Sequence, residues 1–516
     1  MQRRDFLRMA VGVTAGPMIP WVQAAQEPAG TRPNILLITA DDMSCDSVGV
    51  FGCQVEGTTP VLDHLAGEGV RFTYAHVQVA NCVPSRNVMQ TGRYPHTSGV
   101  EGFYQVRPDF PILPDLLKQQ GYFVGIKGKV AHSTPYQPYP WDMVMDLKQE
   151  AQAGKGNTEF FYRFTHDAIA AARQVDKPFY LLVNIIDPHT PFYGLGKGLT
   201  EVADPNKPSR VFTAQEIAVP GFLPDTPATR KELAHYYSSV RRADDCVAAT
   251  LKALQDSGTA DDTVVLFLSD HGMPFPFAKT NVYHHSTRTP WIVRWPGRVK
   301  PGTVDATHMI SAIDFAPTVL DIAGIRRPAG MQGRSFLPLL LGQAQEGREY
   351  VIKEYNENSG GARHPMRAVE TQKYCYIFNP WATGERRFRT ATQGMETYRE
   401  MQRLAASDPA MAARLRVFDY RAVEEFYDCE KDPDALHNLI GDPQYRPQID
   451  QLRRTLEDWM VQTRDHCLEA FRRRDNPQVL EAYMRSVEQA SLQRQGKAST
   501  AKGKKKAKNK AADPDD

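Results

Sequence analysis

The chain predicts an α/β fold, a doubly wound and mainly parallel sheet followed by a smaller C-terminal α+β domain. Three observations point there. Apolar runs of strand length alternate with amphipathic helical stretches, the pattern of a sheet wound with crossover helices. Acidic residues and histidines collect where those runs end, at the carboxyl ends where open α/β sheets place their sites. Around Gly342 to Glu349 the pattern changes to shorter strand-like runs followed by charged helical stretches.

Taken in order, Asn34–Thr39 is a short apolar run ending in Ala40-Asp41-Asp42, a buried parallel strand that delivers two carboxylates. Pro60–Ala66 starts a helix with Thr59 as N-cap and Pro60 in the first turn. Ser85–Gln90 begins another helix just beyond Cys82, and Leu113–Gln120 is a helix feeding the strand Tyr122–Ile126. Phe179–Ile186 is a strand running into Asp187-Pro188-His189. Ala228–Gln255 is a long amphipathic helix, and Val264–Leu268 a strand emptying into Ser269-Asp270-His271-Gly272. In the second region Tyr350–Lys353, Arg367–Glu370 and Tyr374–Phe378 read as strands. The expected division is 1–25 export signal, 32–345 catalytic domain, 346–470 smaller α+β domain and 471–516 charged helical extension with a tail; no internal repeat is visible.

The 516 residues exceed what one core normally supports, and 41% hydrophobic with 10% aromatic content is that of a soluble globular protein. A net charge of +2 hides a Lys-rich end, Lys502 to Lys510, that lacks apolar periodicity and reads as a solvated, disordered tail. It is basic enough to attract acidic polysaccharide or nucleic acid, but a solvated tail is the first reading and no nucleic-acid partner is expected. The N-terminus carries Arg3-Arg4, an apolar run from Met9 to Val22 broken by Pro17 and Pro20, and Ala24-Ala25. That is the form of a twin-arginine signal, too short to span a bilayer, and it predicts a periplasmic or extracellular protein. No later stretch reaches transmembrane length. Seven cysteines without CxxC spacing argue against a zinc cage, and no disulfide pairing can be read from them.

Asp41, Asp42, Asp270 and His271 come from two strand ends far apart in sequence. Three carboxylates around one point repel unless a cation neutralises them, and oxygen ligands favour a hard ion, Ca²⁺ or Mg²⁺. Each piece alone fits something simpler: a turn or cap for Asp-Asp, an Asx turn for Ser-Asp-His-Gly, a buried structural cysteine for Cys82. Their joint occurrence with Cys82-Val83-Pro84-Ser85-Arg86 raises the metal reading above these.

Asp41-Asp42, Cys82-Val83-Pro84-Ser85-Arg86, Gly128-Lys129, Asp187-Pro188-His189 and Ser269-Asp270-His271-Gly272 resemble, in order and approximate spacing, the type I sulfatases of the alkaline-phosphatase-like superfamily. The likeness spans roughly residues 32–465. It implies that a formylglycine-generating enzyme oxidises Cys82 to formylglycine (3-oxoalanine), and that Asp41, Asp42, Asp270 and His271, with the modified Cys82, bind one Ca²⁺. It implies that Arg86 holds the nucleophile ionised and that Lys129 and Lys279 grip the sulfate oxygens. It further implies that His132 is the base that drives sulfate release, and that His189 protonates the leaving group. The sequence departs from the family at Gly128-Lys129-Val130-Ala131-His132, one residue longer than usual and without the aromatic, a spacing shared with iduronate-2-sulfatases.

Four stretches look closest to heparan N-sulfatases: Phe222–Arg230; Gly272–Pro276 with Lys279–Tyr283; Pro365–Val369; and Tyr427-Asp428 with Asp432-Pro433 and Asn438-Leu439. The resemblance implies a sulfated glycosaminoglycan oligosaccharide as substrate, with Lys129, His189, Lys279, His364 and Arg367 contacting it. Hydrolysis of the N-sulfate of glucosamine is the first reading and O-sulfate hydrolysis, including 2-O-sulfated uronic acid, the second. A phosphomonoester or phosphonate hydrolase, a non-catalytic sulfoglycan binder, and the oligomeric state all stay open.

Overall fold

In the computed structural model, the described residues are 32–146 and 154–511, with side chains up to 496. The export signal expected over 1–25 lies outside them. An eight-stranded sheet has the order β4-β3-β5-β1-β6-β7-β2-β8. Its strands are β1 (Asn34–Asp41), β2 (Val70–His76), β3 (Phe123–Lys127), β4 (Met143–Met145), β5 (Phe179–Pro188), β6 (Thr263–Ser269), β7 (Trp291–Arg294) and β8 (Thr303–Ser311). Every pairing is parallel except those of β7, which runs antiparallel to both β6 and β2.

The period of two in β1 shows why the sheet is covered on both faces. Leu36, Ile38 and Ala40 enter one core with helices α1 (Pro60–Gly67), α4 (Thr158–Gln174) and α5 (Pro227–Asp256). Ile35 and Leu37 enter the other with α3 (Leu113–Gln119) and α6 (Phe315–Ile322). These strand side chains are fully enclosed, the leucines and isoleucines each contributing about 1.5–3 kcal/mol of burial. Because β5, β1 and β6 are neighbours, their carboxyl ends bring Asp187, Asp41 and Asp270 to one rim. Helix α2 (Cys82–Thr91) starts at the same rim and is buried along its whole length. It begins at Cys82, three residues before the expected Ser85.

A second sheet, antiparallel and ordered β12-β11-β10-β9, contains β9 (Tyr350–Glu357), β10 (Arg363–Thr371), β11 (Tyr374–Phe378) and β12 (Glu424–Asp428). One face, with Ile352, Val369, Tyr376 and Phe378, packs on α7 (Arg446–Thr463). The other, with Tyr355, Ala368, Cys375 and Ile377, joins the core of the large sheet. A mixed α/β fold with a large mainly parallel sheet and a smaller antiparallel one matches the expected class.

Differences from expectation have local causes. Strands β2, β4, β7, β8 and β12 were not anticipated; β4 and β7 are three and four residues long, and the first six residues of β8 are exposed or only partly buried, Val304 among them. Thr59 does precede α1, but its hydroxyl accepts from Gly49 N at 2.9 Å instead of capping the helix. The Lys-rich stretch expected to be disordered continues helix α8 (Pro477–Ala511) through Ala511, consistent with the high helix propensity of its Ala, Lys and Gln residues. Among the described residues no helix is long and apolar enough to cross a membrane.

His285 links the two sheets: Nδ1 meets Asp46 Oδ2 at 2.8 Å, and Nε2 meets Asp434 Oδ1, beyond β12, at 3.0 Å. Arg288 also bonds Asp46, and His284 stacks edge-on beside it. Burial alone would depress the imidazole, but hydrogen bonds to Asp434 and Asp46 raise it to about 9, above its ordinary 6.5. The raised value means the contribution is full below the ordinary pKa and lost as pH rises through about 9. Thermal unfolding should show wild type exceeding His285→Gln by on the order of 2 kcal/mol near pH 6, after discounting for solvent at half-exposed Asp46, with the gap closing near pH 10.

Candidate active site

The site starts from β1. Its register against β5 shifts between Thr39 and Asp41, and Asp42 adopts a left-handed φ of 69°, a conformation Asp tolerates better than most residues. The turn is held by Asp42 N donating to Asp270 Oδ1 at 3.1 Å and Met43 N donating to Ser269 Oγ at 3.0 Å. Successive carboxylates therefore point into one enclosed space instead of to opposite faces.

Helix α2 places Cys82 in its first turn and Arg86 one turn on, on the same side. Its N-cap residue, Asn81, donates from Nδ2 to Glu357 O of β9 at 3.0 Å, so the second sheet helps to seat this end. Cys82 Sγ lies 3.4 Å from Asp41 Oδ1 and 3.4 Å from His271 Nε2. The helix N-terminus adds partial positive charge here.

Asp41, Asp42 and Asp270 are fully buried. Arg86 donates from Nε to Asp270 Oδ2 at 3.0 Å, and its Nη1 bonds Thr39 Oγ1 at 2.7 Å and Asn184 Oδ1 at 2.5 Å. Lys129 forms an ion pair with Asp41. Lys279 Nζ contacts both oxygens of Asp42 at 2.7 Å. His189 Nε2 stands 3.9 Å from Asp42 Oδ2 while its Nδ1 bonds Thr190 O at 2.6 Å. His271 Nε2 is 3.3 Å from Asp42 Oδ1.

These neighbours set the charges. Burial would raise Asp41, but Lys129, followed by His189, Arg86 and Lys279, brings it well below the usual carboxylate range. Burial likewise opposes Asp42, and Lys279 with the two histidines lowers it. Asp270 is raised, by burial foremost with Asp41 and Asp42 adding, despite Arg86. Asp270 thus stays the highest of the three although Arg86 pairs with it at 3.0 Å. Asp41, Cys82, Asp270 and His271 offer ligand atoms within 4.8 Å of one another, and Asp42, Cys82 and His189 form an overlapping group. Buried carboxylates with a histidine beside them fit a hard divalent cation.

Of the sequence-predicted residues, Asp41, Asp42, Cys82, Arg86, Lys129, His189, Asp270, His271 and Lys279 converge. His132 lies beside them: its ring packs edge-on to Phe103 at 5.7 Å and its Nδ1 is buried without a hydrogen bond. Burial, with Lys129, pushes it down to about 3. The expected substrate contact at Arg367 is corrected. The side chain is fully enclosed, bonding Asp465 at 2.5 and 3.0 Å and Asn356 Oδ1 at 3.0 Å, so it braces β10 internally. His364 stands outside the cluster, between Trp381 and Phe388, and lines a groove with Arg386, Arg387 and Arg389.

Three supporting residues were missed. Asn184 accepts from Arg86 and donates to Lys127 O and Gly128 O at 3.1 and 2.8 Å. A Cβ at Gly128 would come 2.8 Å from Asn184 O, so only glycine allows this approach. A polar Asn inside the apolar run Phe179–Ile186 was the available signal. Arg242 bonds Asp187 at 2.7 and 3.0 Å, and Lys155 bonds Asp187 at 2.8 Å and the His189 carbonyl. Nothing in the sequence separates these two from ordinary surface charges.

The family model for Sulfatase matches residues 33–325, and that for N-sulphoglucosamine sulphohydrolase, C-terminal, matches 270–383. Human N-sulphoglucosamine sulphohydrolase is 31% identical over 473 residues, covering 84% of this chain and 91% of that protein. An ulvan-active sulfatase of Formosa agariphila is 26% identical, covering 83% and 75%. Among solved structures, one in complex with its substrate D-glucosamine-2-N,6-O-disulfate superposes with a TM-score of 0.63 at 19% identity, covering 84% of this chain and 98% of the other. The phosphonate monoester hydrolase of Agrobacterium radiobacter superposes with 0.62 at 18%, covering 84% and 96%. At those identities the superpositions speak for the alkaline-phosphatase-like fold alone. The matched span 33–325 holds every residue of the converging cluster, and together with the human relative it places this chain in the sulfatase family, as a hydrolase of sulfate esters or sulfamates.

Proposed function

We propose that the protein hydrolyses the N-sulfate of glucosamine in heparin or heparan sulfate fragments, with formylglycine at residue 82 and one Ca²⁺. The observation that carries this reading is the sulphoglucosamine-type match over 270–383. That span includes Lys279 and strands β9 to β11, the side from which Glu357 seats the start of α2.

As a thiol, Cys82 is a poor nucleophile, because burial and Asp41 raise it well above its ordinary value. Oxidised to formylglycine and hydrated, residue 82 would offer two geminal hydroxyls, a nucleophile and a second group whose ionisation would release the product. Asp41, Asp42, Asp270 and His271 would hold a calcium ion, which would supply positive charge at that centre. Arg86, fixed by Thr39, Asn184 and Asp270, keeps a permanent charge one turn from residue 82. Lys129 and Lys279, paired with Asp41 and Asp42, are the cations that would turn to the sulfate oxygens. His132, held unprotonated at neutral pH, can accept the proton released from the diol. His189, braced through Asp187 by Arg242 and Lys155, faces the site with Nε2 and can serve the leaving amine.

O-sulfate hydrolysis is the second reading, favoured by the longer Lys129-to-His132 spacing and by a 24% identical Delta 4,5-hexuronate-2-O-sulfatase of Bacteroides thetaiotaomicron. A desulfation screen on heparin disaccharides differing only in N-, 2-O- and 6-O-sulfation decides between them. N-sulfate release should be fastest; preferential 2-O release would replace the first reading with the second.

Protein made with a formylglycine-generating enzyme should give a residue-82 peptide lighter by the exchange of hydrogen sulfide for oxygen, and Cys82→Ala should fold but not turn over. Appreciable turnover by that variant would remove residue 82 as nucleophile. General-acid help is typically worth about 10²–10⁴-fold, so His189→Ala should lose that much on glycan substrate and far less on an activated aryl sulfate. Equal losses on both would make His189 a binding residue.

A further inference from the structure

A second cluster of ligating side chains lies where β2, the Lys279 loop and β10 meet. His76 ends β2, His284 follows the loop, and Glu370 stands on β10; their ligand atoms lie within 4.8 Å of one another. His76 and Glu370 are buried and His284 nearly so.

The hydrogen bonds fix the orientation of each group. Thr287 Oγ1 donates to Tyr283 O at 3.4 Å, leaving its lone pairs to accept from His76 Nδ1 at 3.2 Å. His76 is then the Nδ1–H tautomer, and its Nε2 carries a lone pair. That Nε2 is buried, makes no hydrogen bond, and faces Glu370 Oε1 across 3.5 Å. Two acceptors facing each other out of water is costly unless a cation stands between them. His284 Nδ1 meets the same Oε1 at 2.7 Å. The other oxygen, Oε2, is held by Lys353, whose ammonium also bonds Val282 O and Tyr283 O at 3.2 and 3.3 Å. Thr287 and Lys353 are thus placed as outer supports that orient a histidine and a carboxylate ligand.

We propose that His76 Nε2, His284 Nδ1 and Glu370 Oε1 form a second metal site, selective for zinc-like ions, which pins the Lys279 loop between the two sheets. Two imidazoles and one carboxylate are a zinc donor set, unlike the oxygen-rich cluster at residue 82. Tetrahedral ligands about 2 Å from zinc lie roughly 3.3 Å apart, and the separations to Oε1 of 2.7 and 3.5 Å bracket that value. The inference is independent of the substrate and of formylglycine.

Zinc titration into the full-length chain, with calcium in excess, tests it by bound-metal analysis and thermal unfolding. One zinc per chain should bind and raise Tm, and cobalt in its place should give visible d–d absorption. His76→Gln and Glu370→Gln should weaken zinc binding at least about tenfold, and Thr287→Val, which removes only the orienting hydroxyl, by about 10–100-fold. Asp270→Ala should leave zinc binding intact. Absence of bound zinc and of any Tm shift in the wild-type chain overturns the proposal, as does unchanged affinity in both His76→Gln and Thr287→Val.

Discussion

Three carboxylates enclosed at one point dominate this molecule. Asp41, Asp42 and Asp270 are buried, and burying one uncompensated charge costs several kcal/mol. The protein answers with Arg86, Lys129 and Lys279, one cation against each carboxylate. The cluster is balanced only while the lysines stay on the carboxylates. Under the proposed function a divalent cation bound there would add positive charge that an anionic substrate would offset, so the same six charges would serve both stability and turnover. Asp270 is the carboxylate left highest, by burial foremost.

The rest of the fold keeps those charges in place. Parallel neighbours β5, β1 and β6 end at one rim, so residues more than two hundred positions apart meet without a long loop. Asn184 joins Arg86 to the backbone that presents Lys129. The Arg242–Asp187–Lys155 network fixes the segment carrying His189. From the other side, the second sheet reaches the start of α2 through Glu357 and Asn81, and the Lys279 loop through Lys353 and Glu370. The smaller sheet is therefore part of the support of the candidate active site.

Much of this was legible in the sequence because the informative residues sit at ends of strongly patterned strands. Asn34–Thr39, Phe179–Ile186 and Val264–Leu268 are continuous apolar runs, so the acidic residues just beyond them stood out. The edge strand β4 was hidden by its shortness, and β8 by a first half without an apolar run, as in loops. Arg367 was misread because a charged residue in a strand looks the same in sequence whether it faces a glycan or, as here, a buried Asp465. Arg242 and Lys155 were invisible for the converse reason, since their partners are distant in sequence. Convergence is a property of the fold; strand-end residues announce it by pattern, and Cys82, Arg86 and Lys279 were found only through the family resemblance.

The central claim is that this balanced cluster holds one calcium ion needed for turnover. Calcium counting by elemental analysis, alongside activity, in wild type and Asp270→Ala tests it most directly. The account predicts one calcium per active chain, loss of both calcium and turnover on chelation, recovery of both on calcium addition, and no calcium in Asp270→Ala. Full turnover by calcium-free protein, or an unchanged calcium count in Asp270→Ala, would contradict it.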